Sequence, residues 1–240
     1  PEYRHGWGGK SYYQQLRLDP LGPETAESLL ASLLGTDPTL ASLRSVLIER
    51  AQGNPLFLEE SVRALSETGV LAGERGTYRL ARSFHVAQMP ATVQAILAAR
   101  IDRLPPEDKA LLQTASVIGK DVPLTLLQAI TVVPENDLMA TLERLQSAEF
   151  LYETQLLPDA EYTFKHALTH EVAYGSLLQE RRRALHTGIV EAIEALHPER
   201  LPEQVERLAH HAYRGEAWEK AVAYLRQAGA KAHGRSAYRE

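Results

Sequence analysis

The chain has 240 residues, of which 44% are hydrophobic and 24% charged, enough to bury more than one ordinary core. Its formal charge of −5 excludes the broadly basic surface that binds nucleic acid or anionic membrane. The absence of cysteine excludes disulfides, thiolate catalysis and cysteine-ligated zinc. No apolar run approaches the roughly 20 residues of a membrane span, so cytoplasm is the expected compartment.

Residues 1–10 are polar and glycine-rich and read as a loop, after which Tyr12, Gln14, Leu16 and Leu18 alternate as in a strand. Pro20 and Pro23 interrupt the chain, and from Glu24 the period becomes helical. Leu29, Leu30, Leu33 and Leu34 share a face until Gly35 stops it. A second helix follows Pro38, with Leu40, Leu43, Val46 and Leu47 in register. The third opens at Asn54-Pro55, where asparagine is a good N-cap and proline suits the first helical position. It runs through Leu58, Val62 and Leu65 to Gly69, and residues 70–82 suggest a short hairpin or an extended linker.

A new helical unit starts at Pro90, with Val93, Ile96, Leu97, Ile101 and Leu104 on one stripe. Pro105-Pro106 ends it, and Glu107 and Asp108 open the next helix. Short helices are expected at about 123–130 and 135–147. Phe150, Tyr152, a Pro158-Asp159 turn, Tyr162 and Phe164 then alternate as in a β-hairpin. Helices closing on a hairpin have the layout of a winged helix. Residues 166–196 read as two helices, and 202–231 as an antiparallel pair turning near Gly215. In that pair Ala209, Gly215, Trp218, Ala221, Leu225 and Ala228 fall at offsets resembling a tetratricopeptide repeat without its closing proline. Tyr238 would begin another. One repeat cannot bury its own face, so a helical array is expected to continue. Both ends read as domain boundaries within a longer chain.

Gly9-Lys10-Ser11 ends like a phosphate-binding loop, but Arg4 stands where that pattern needs its first glycine. It also lies between polar residues and a strand-like run, so it reads as a chance match. His166 and His170 share a helix face with Glu171 beside them, yet a zinc hydrolase needs its glutamate where Ala167 stands. His210 and His211 are adjacent, point in different directions and read as surface or packing residues. Arg181-Arg182-Arg183 is the one concentrated basic run, either a phosphate contact or a solvated helix face. From Ser83 to Glu180 there are six Lys/Arg against thirteen Asp/Glu, a net of −7. A DNA-reading winged helix must neutralise phosphates, so this one is expected to face protein.

Gly53-Asn54-Pro55-Leu56-Phe57-Leu58-Glu59-Glu60 resembles the GxP motif of STAND-type AAA+ ATPases, the NB-ARC and NACHT relatives. The run from Tyr12 to Leu21 resembles the last core strand of such ATPases and the exit into their helical lid. The Pro90–Ile96 and Asp102-Arg103-Leu104 stretches resemble the start of the family's winged-helix domain. Phe164-Lys165-His166-Ala167-Leu168 and Glu171–Tyr174 resemble its end, and tetratricopeptide repeats commonly follow. The nearest likeness is to bacterial multidomain proteins that join a class III adenylyl/guanylyl cyclase domain to such a module.

This resemblance implies a mainly α fold in five segments. These are the end of an ATPase core (1–21), a helical lid with its linker (22–82), a winged helix (83–165), connecting helices (166–200) and the start of the repeats (201–240). It implies that Gly53 and Pro55 contact the adenine, that Asn54 caps the helix between them, and that His166 is a candidate for reaching the phosphates. It further implies ATP/ADP with Mg in the whole parent protein, and no tight nucleotide binding or hydrolysis by this segment alone. The lid would hold the ADP state closed and swing on ATP exchange, with a hinge near residues 70–85. Protein partners or a signal ligand would bind through the repeats and the winged helix, without nucleic acid or membrane. A transcription regulator of the same superfamily, with its DNA reader elsewhere, is the alternative.

Overall fold

A computed structural model describes residues 18–84, 89–155 and 160–236. The Gly9-Lys10-Ser11 run, all but the last residue of the expected strand at 12–18, the Pro158-Asp159 turn and Tyr238 lie outside these residues. The fold is mainly α, and the chain divides into two compact units, Pro1–Ile96 and Leu97–Glu240. No helix among the described residues is long and apolar enough to cross a membrane.

The first unit contains α1 (Pro23–Leu34), a 3₁₀ turn at Pro38–Leu40, α2 (Ala41–Ala51) and α3 (Pro55–Glu67). Proline occupies the first position of α1, of the 3₁₀ turn and of α3, where its missing N–H costs nothing. Leu30, Leu34, Leu40, Leu43, Leu47 and Leu58 form the buried centre. Of the two readings of residues 70–82, the hairpin is correct. Strands β1 (Leu71–Ala72) and β2 (Arg79–Leu80) pair antiparallel, with Leu71 opposite Leu80. Its tip is fixed to the end of α1, where Gly76 N donates to Leu33 O at 2.8 Å and Tyr78 N to Leu34 O at 2.9 Å. These bonds satisfy carbonyls that a helix terminus otherwise leaves open. The contact demands glycine at the junction, since a Cβ on Gly35 would lie 2.4 Å from Gly76 O. Most of the segment expected as a hinge is therefore anchored within the first unit. The division between the units falls inside α4 (Val93–Asp102).

The second unit continues with α5 (Pro106–Ile118), β3 (Asp121–Pro123), α6 (Leu124–Ile130), α7 (Glu135–Ser147), β4 (Leu151–Gln155) and β5 (Glu161–Phe164). The three strands form an antiparallel sheet in the order β3-β5-β4, so helix, strand, two helices and hairpin follow the winged-helix order. The reading of the sequence missed β3, whose three residues acquire their conformation from pairing with β5. Leu112, Val122, Leu127, Leu142, Phe150, Tyr162 and Phe164 fill the core. Asp108, buried in the first turn of α5, takes a forked bond from Arg144 of α7, with Nε at 3.0 Å from both carboxylate oxygens. That contact raises the basicity of Arg144.

Four helices complete the unit: α8 (Ala167–Gly175), α9 (Gln179–Leu196), α10 (Leu201–Arg214) and α11 (Trp218–Ser236). The last two form the expected antiparallel pair, turning at Gly215. A Cβ there would meet Thr187 Oγ1 of α9 at 2.8 Å and Thr187 N at 3.0 Å, so the turn is seated on α9 by close backbone approach. Glu194 of α9 ties α11 in place, accepting from Lys220 Nζ and Tyr224 Oη at 2.6 Å each.

Candidate functional site

The sequence-predicted residues begin at the junction of α2 and α3. Gln52 and Gly53 both adopt positive φ, at 47° and 78°, which turns the chain sharply before Asn54. The Asn54 side chain then accepts from Leu56 N at 3.0 Å and Phe57 N at 3.4 Å, so it is the N-cap that its type and position suggest. Pro55 follows as the first helical residue and is exposed. Gly53 also has a reason within the chain. Its carbonyl accepts from Leu21 N at 2.8 Å, and a Cβ would lie 2.6 Å from Pro20 Cβ. The segment leading into α1 thus crosses directly over the glycine, and close backbone approach explains it without a ligand.

His166 is the N-cap residue of α8, but its side chain caps nothing. Its Nε2 is buried without a hydrogen-bond partner, as is that of His170 one turn later. The His170 ring sits edge-on to Phe164 at 5.1 Å and stacks on Tyr174 at 6.4 Å. Gly53, Asn54 and Pro55 belong to the first compact unit and His166 to the second. Among the described residues no group of three or more His, Asp or Glu is placed to hold a metal ion.

The most connected set of chemistry-bearing side chains went unread in the sequence, because it centres on His186. This residue of α9 is 2% exposed, and His211 of α10 is 1% exposed, a packing position, while His210 is exposed, so the adjacent pair divides between the two expected roles. Their Nδ1 atoms are 2.8 Å apart, and His186 Nε2 lies 3.1 Å from Tyr174 Oη. The backbone at Ile118, at the end of α5, acts in the opposite sense to burial and raises the basicity of His211. With both imidazoles neutral, each contact has one donor and one acceptor, and the two directions are linked through His186. Where Tyr174 Oη donates to His186 Nε2, His186 Nδ1 donates to His211 Nδ1, and in the other tautomer His211 Nδ1 donates to His186 Nδ1 and His186 Nε2 to Tyr174 Oη. The two contacts fasten α8, α9 and α10 together.

The neutral state is enforced by the surroundings. Burial, then the neighbouring charges of His210, Arg214 and Arg182, push His186 down to about 4. Burial, then His186, His210 and Arg207, push His211 down to about 3, against the opposing Ile118 bond. Histidines held that low stay neutral near pH 7. Their chemistry is that of a structural fastening inside a positive field.

The exposed face of α7, the helix that a DNA-reading winged helix would present, carries Glu135, Asp137 and Glu143. Such a face repels phosphate. No protein-family model and no curated protein matches the chain.

Proposed function

We propose that the chain is the regulatory segment of an ATP/ADP-switched signalling ATPase of the STAND type, with the catalytic phosphate site elsewhere in the parent protein. One observation carries the reading: a glycine with positive φ, a capping asparagine and an exposed first-turn proline stand in succession at the head of α3. In the resemblance drawn above, that succession is the adenine-side edge of the nucleotide site. Two further features support it. The winged-helix order follows in the chain, and the acidic face of α7 suits a protein contact better than DNA. In this reading the parent resembles a multidomain adenylyl/guanylyl cyclase, and the repeat-like helices sense a partner or signal ligand. Exchange of ADP for ATP would then move the two compact units as bodies.

Pro55 supplies the test, because removing its ring leaves the Asn54 cap in place and α3 intact. In the full-length protein, Pro55→Ala is expected to weaken ADP binding about fivefold, the value of roughly 1 kcal/mol of lost apolar contact. The dissociation constant measured by calorimetry checks this. An unchanged affinity in a folded variant would remove Pro55 from the site.

A further inference from the structure

A pocket of about 320 Å³ lies over the first turns of α9 and the α10–α11 turn. Its wall holds three arginines, Arg182, Arg183 and Arg214, and three aromatic residues, Tyr174, Tyr213 and Trp218. Glu216 is the one acid among the lining residues, so the pocket carries a net +2 in a chain of net −5. The arginines at 181–183 bring α9 no benefit as a helix, since cations in a first turn oppose the macrodipole.

Two of the arginines are held in place. Arg182 donates from Nε to Leu177 O at 2.9 Å, and its guanidinium lies over the Tyr174 ring at 4.9 Å, which leaves the Nη groups for a ligand. Arg183 Nε is 2.9 Å from Glu216 Oε1 across the pocket wall. Arg214 is exposed and has no ion-pair partner among the described residues. Tyr213 and Trp218 meet edge to face at 5.8 Å and are each more than half exposed, at 57% and 56%. An apolar pair left this open beside unpaired guanidinium groups offers a planar ring a stacking surface next to an anion site.

Charge chooses between anions. A carboxylate would neutralise half of the surplus, whereas a phosphate monoester carries about −1.5 to −2 at neutral pH and matches it. Arginine forks hold phosphate oxygens in pairs, and the volume accepts a phosphate together with a ring. We propose that this pocket binds a phosphate monoester carrying a planar ring, the phosphate held by Arg182, Arg183 and Arg214 and the ring laid against Tyr213 and Trp218. The site is independent of Gly53–Pro55 and stands whether or not the chain belongs to a nucleotide-switched parent.

Phenyl phosphate is the probe, titrated calorimetrically into the 240-residue chain. Binding in the millimolar range or tighter is expected, stronger than for inorganic phosphate or phenol. Arg214→Ala, on an exposed side chain outside the core, should weaken it about tenfold, and Arg182→Ala likewise, with unchanged circular dichroism. Separate titrations with adenosine monophosphate and with phosphotyrosine amide distinguish a free nucleotide from a modified side chain by whichever binds more tightly. Absence of phenyl phosphate binding at about 10 mM, equal binding of inorganic phosphate, or indifference to both arginine changes would overturn the proposal.

Discussion

Replacing Arg100 with alanine is expected to destabilise the second unit by about 3–5 kcal/mol, the largest effect of any single change proposed for this chain. Arg100 lies in the last turn of α4 and is 2% exposed, a place that long cations occupy only when their charge is answered. Its Nη2 donates to Ala148 O at 2.8 Å, satisfying a carbonyl at the end of α7, and its guanidinium lies 4.5 Å over the Phe150 ring. Alanine would remove the donor, the stacking partner and the volume together. Arg100→Met restores most of the volume and none of the polar contact, and should recover about half of the loss. Urea unfolding followed by circular dichroism measures both. A loss below about 1 kcal/mol for the alanine variant would mean that the guanidinium is not engaged at Ala148 and Phe150.

The second large effect is acid lability from the Tyr174–His186–His211 chain. Both histidines are less basic folded than unfolded, so between pH 6.5 and about 4 the unfolded chain takes up protons that the folded chain refuses. Their contribution to stability is therefore complete above pH 6.5 and falls as the pH drops through that window. For His186 alone, the distance from 6.5 to about 4 corresponds to about 3 kcal/mol. Carboxylates titrate at the acid end of the same range, so a variant is needed to separate them. A chain carrying both His186→Phe and His211→Phe should show a clearly shallower fall in unfolding free energy between pH 6.5 and 4.5. An identical slope would show that the pair is protonated in the folded state.

Much of the fold was legible because prolines and glycines punctuate it. Pro23, Pro38, Pro55 and Pro106 stand at first helical positions, and Gly35 ends α1 as its pattern suggests. Asn54 was legible for the same reason, since capping is a local matter between a side chain and the next two or three amides. What escaped was non-local. Strand β3 has three residues and ends in proline, and only its partner β5, some forty residues on, gives it an extended form. His186 acquires meaning from His211, 25 residues away, and Arg100 from Ala148, 48 residues away. Nothing in the local pattern around either residue separates a buried polar group from a solvated one. Gly53 is the intermediate case. Its left-handed turn was predictable, while the crossing of Pro20 and Leu21 over it was not.

That crossing sharpens the functional question, since the glycine of the Gly53-Asn54-Pro55 succession is required by the chain itself, which leaves Pro55 as the residue that tests the nucleotide reading. Photolabelling of the full-length protein with 8-azido-ADP, followed by mapping of the labelled peptides, addresses it most directly. An adenine lying against the head of α3 places the label within residues 53–60, and excess ADP abolishes it. Label found only outside that segment, in a protein that binds ADP stoichiometrically, would contradict the assignment of this unit as the lid of a nucleotide site.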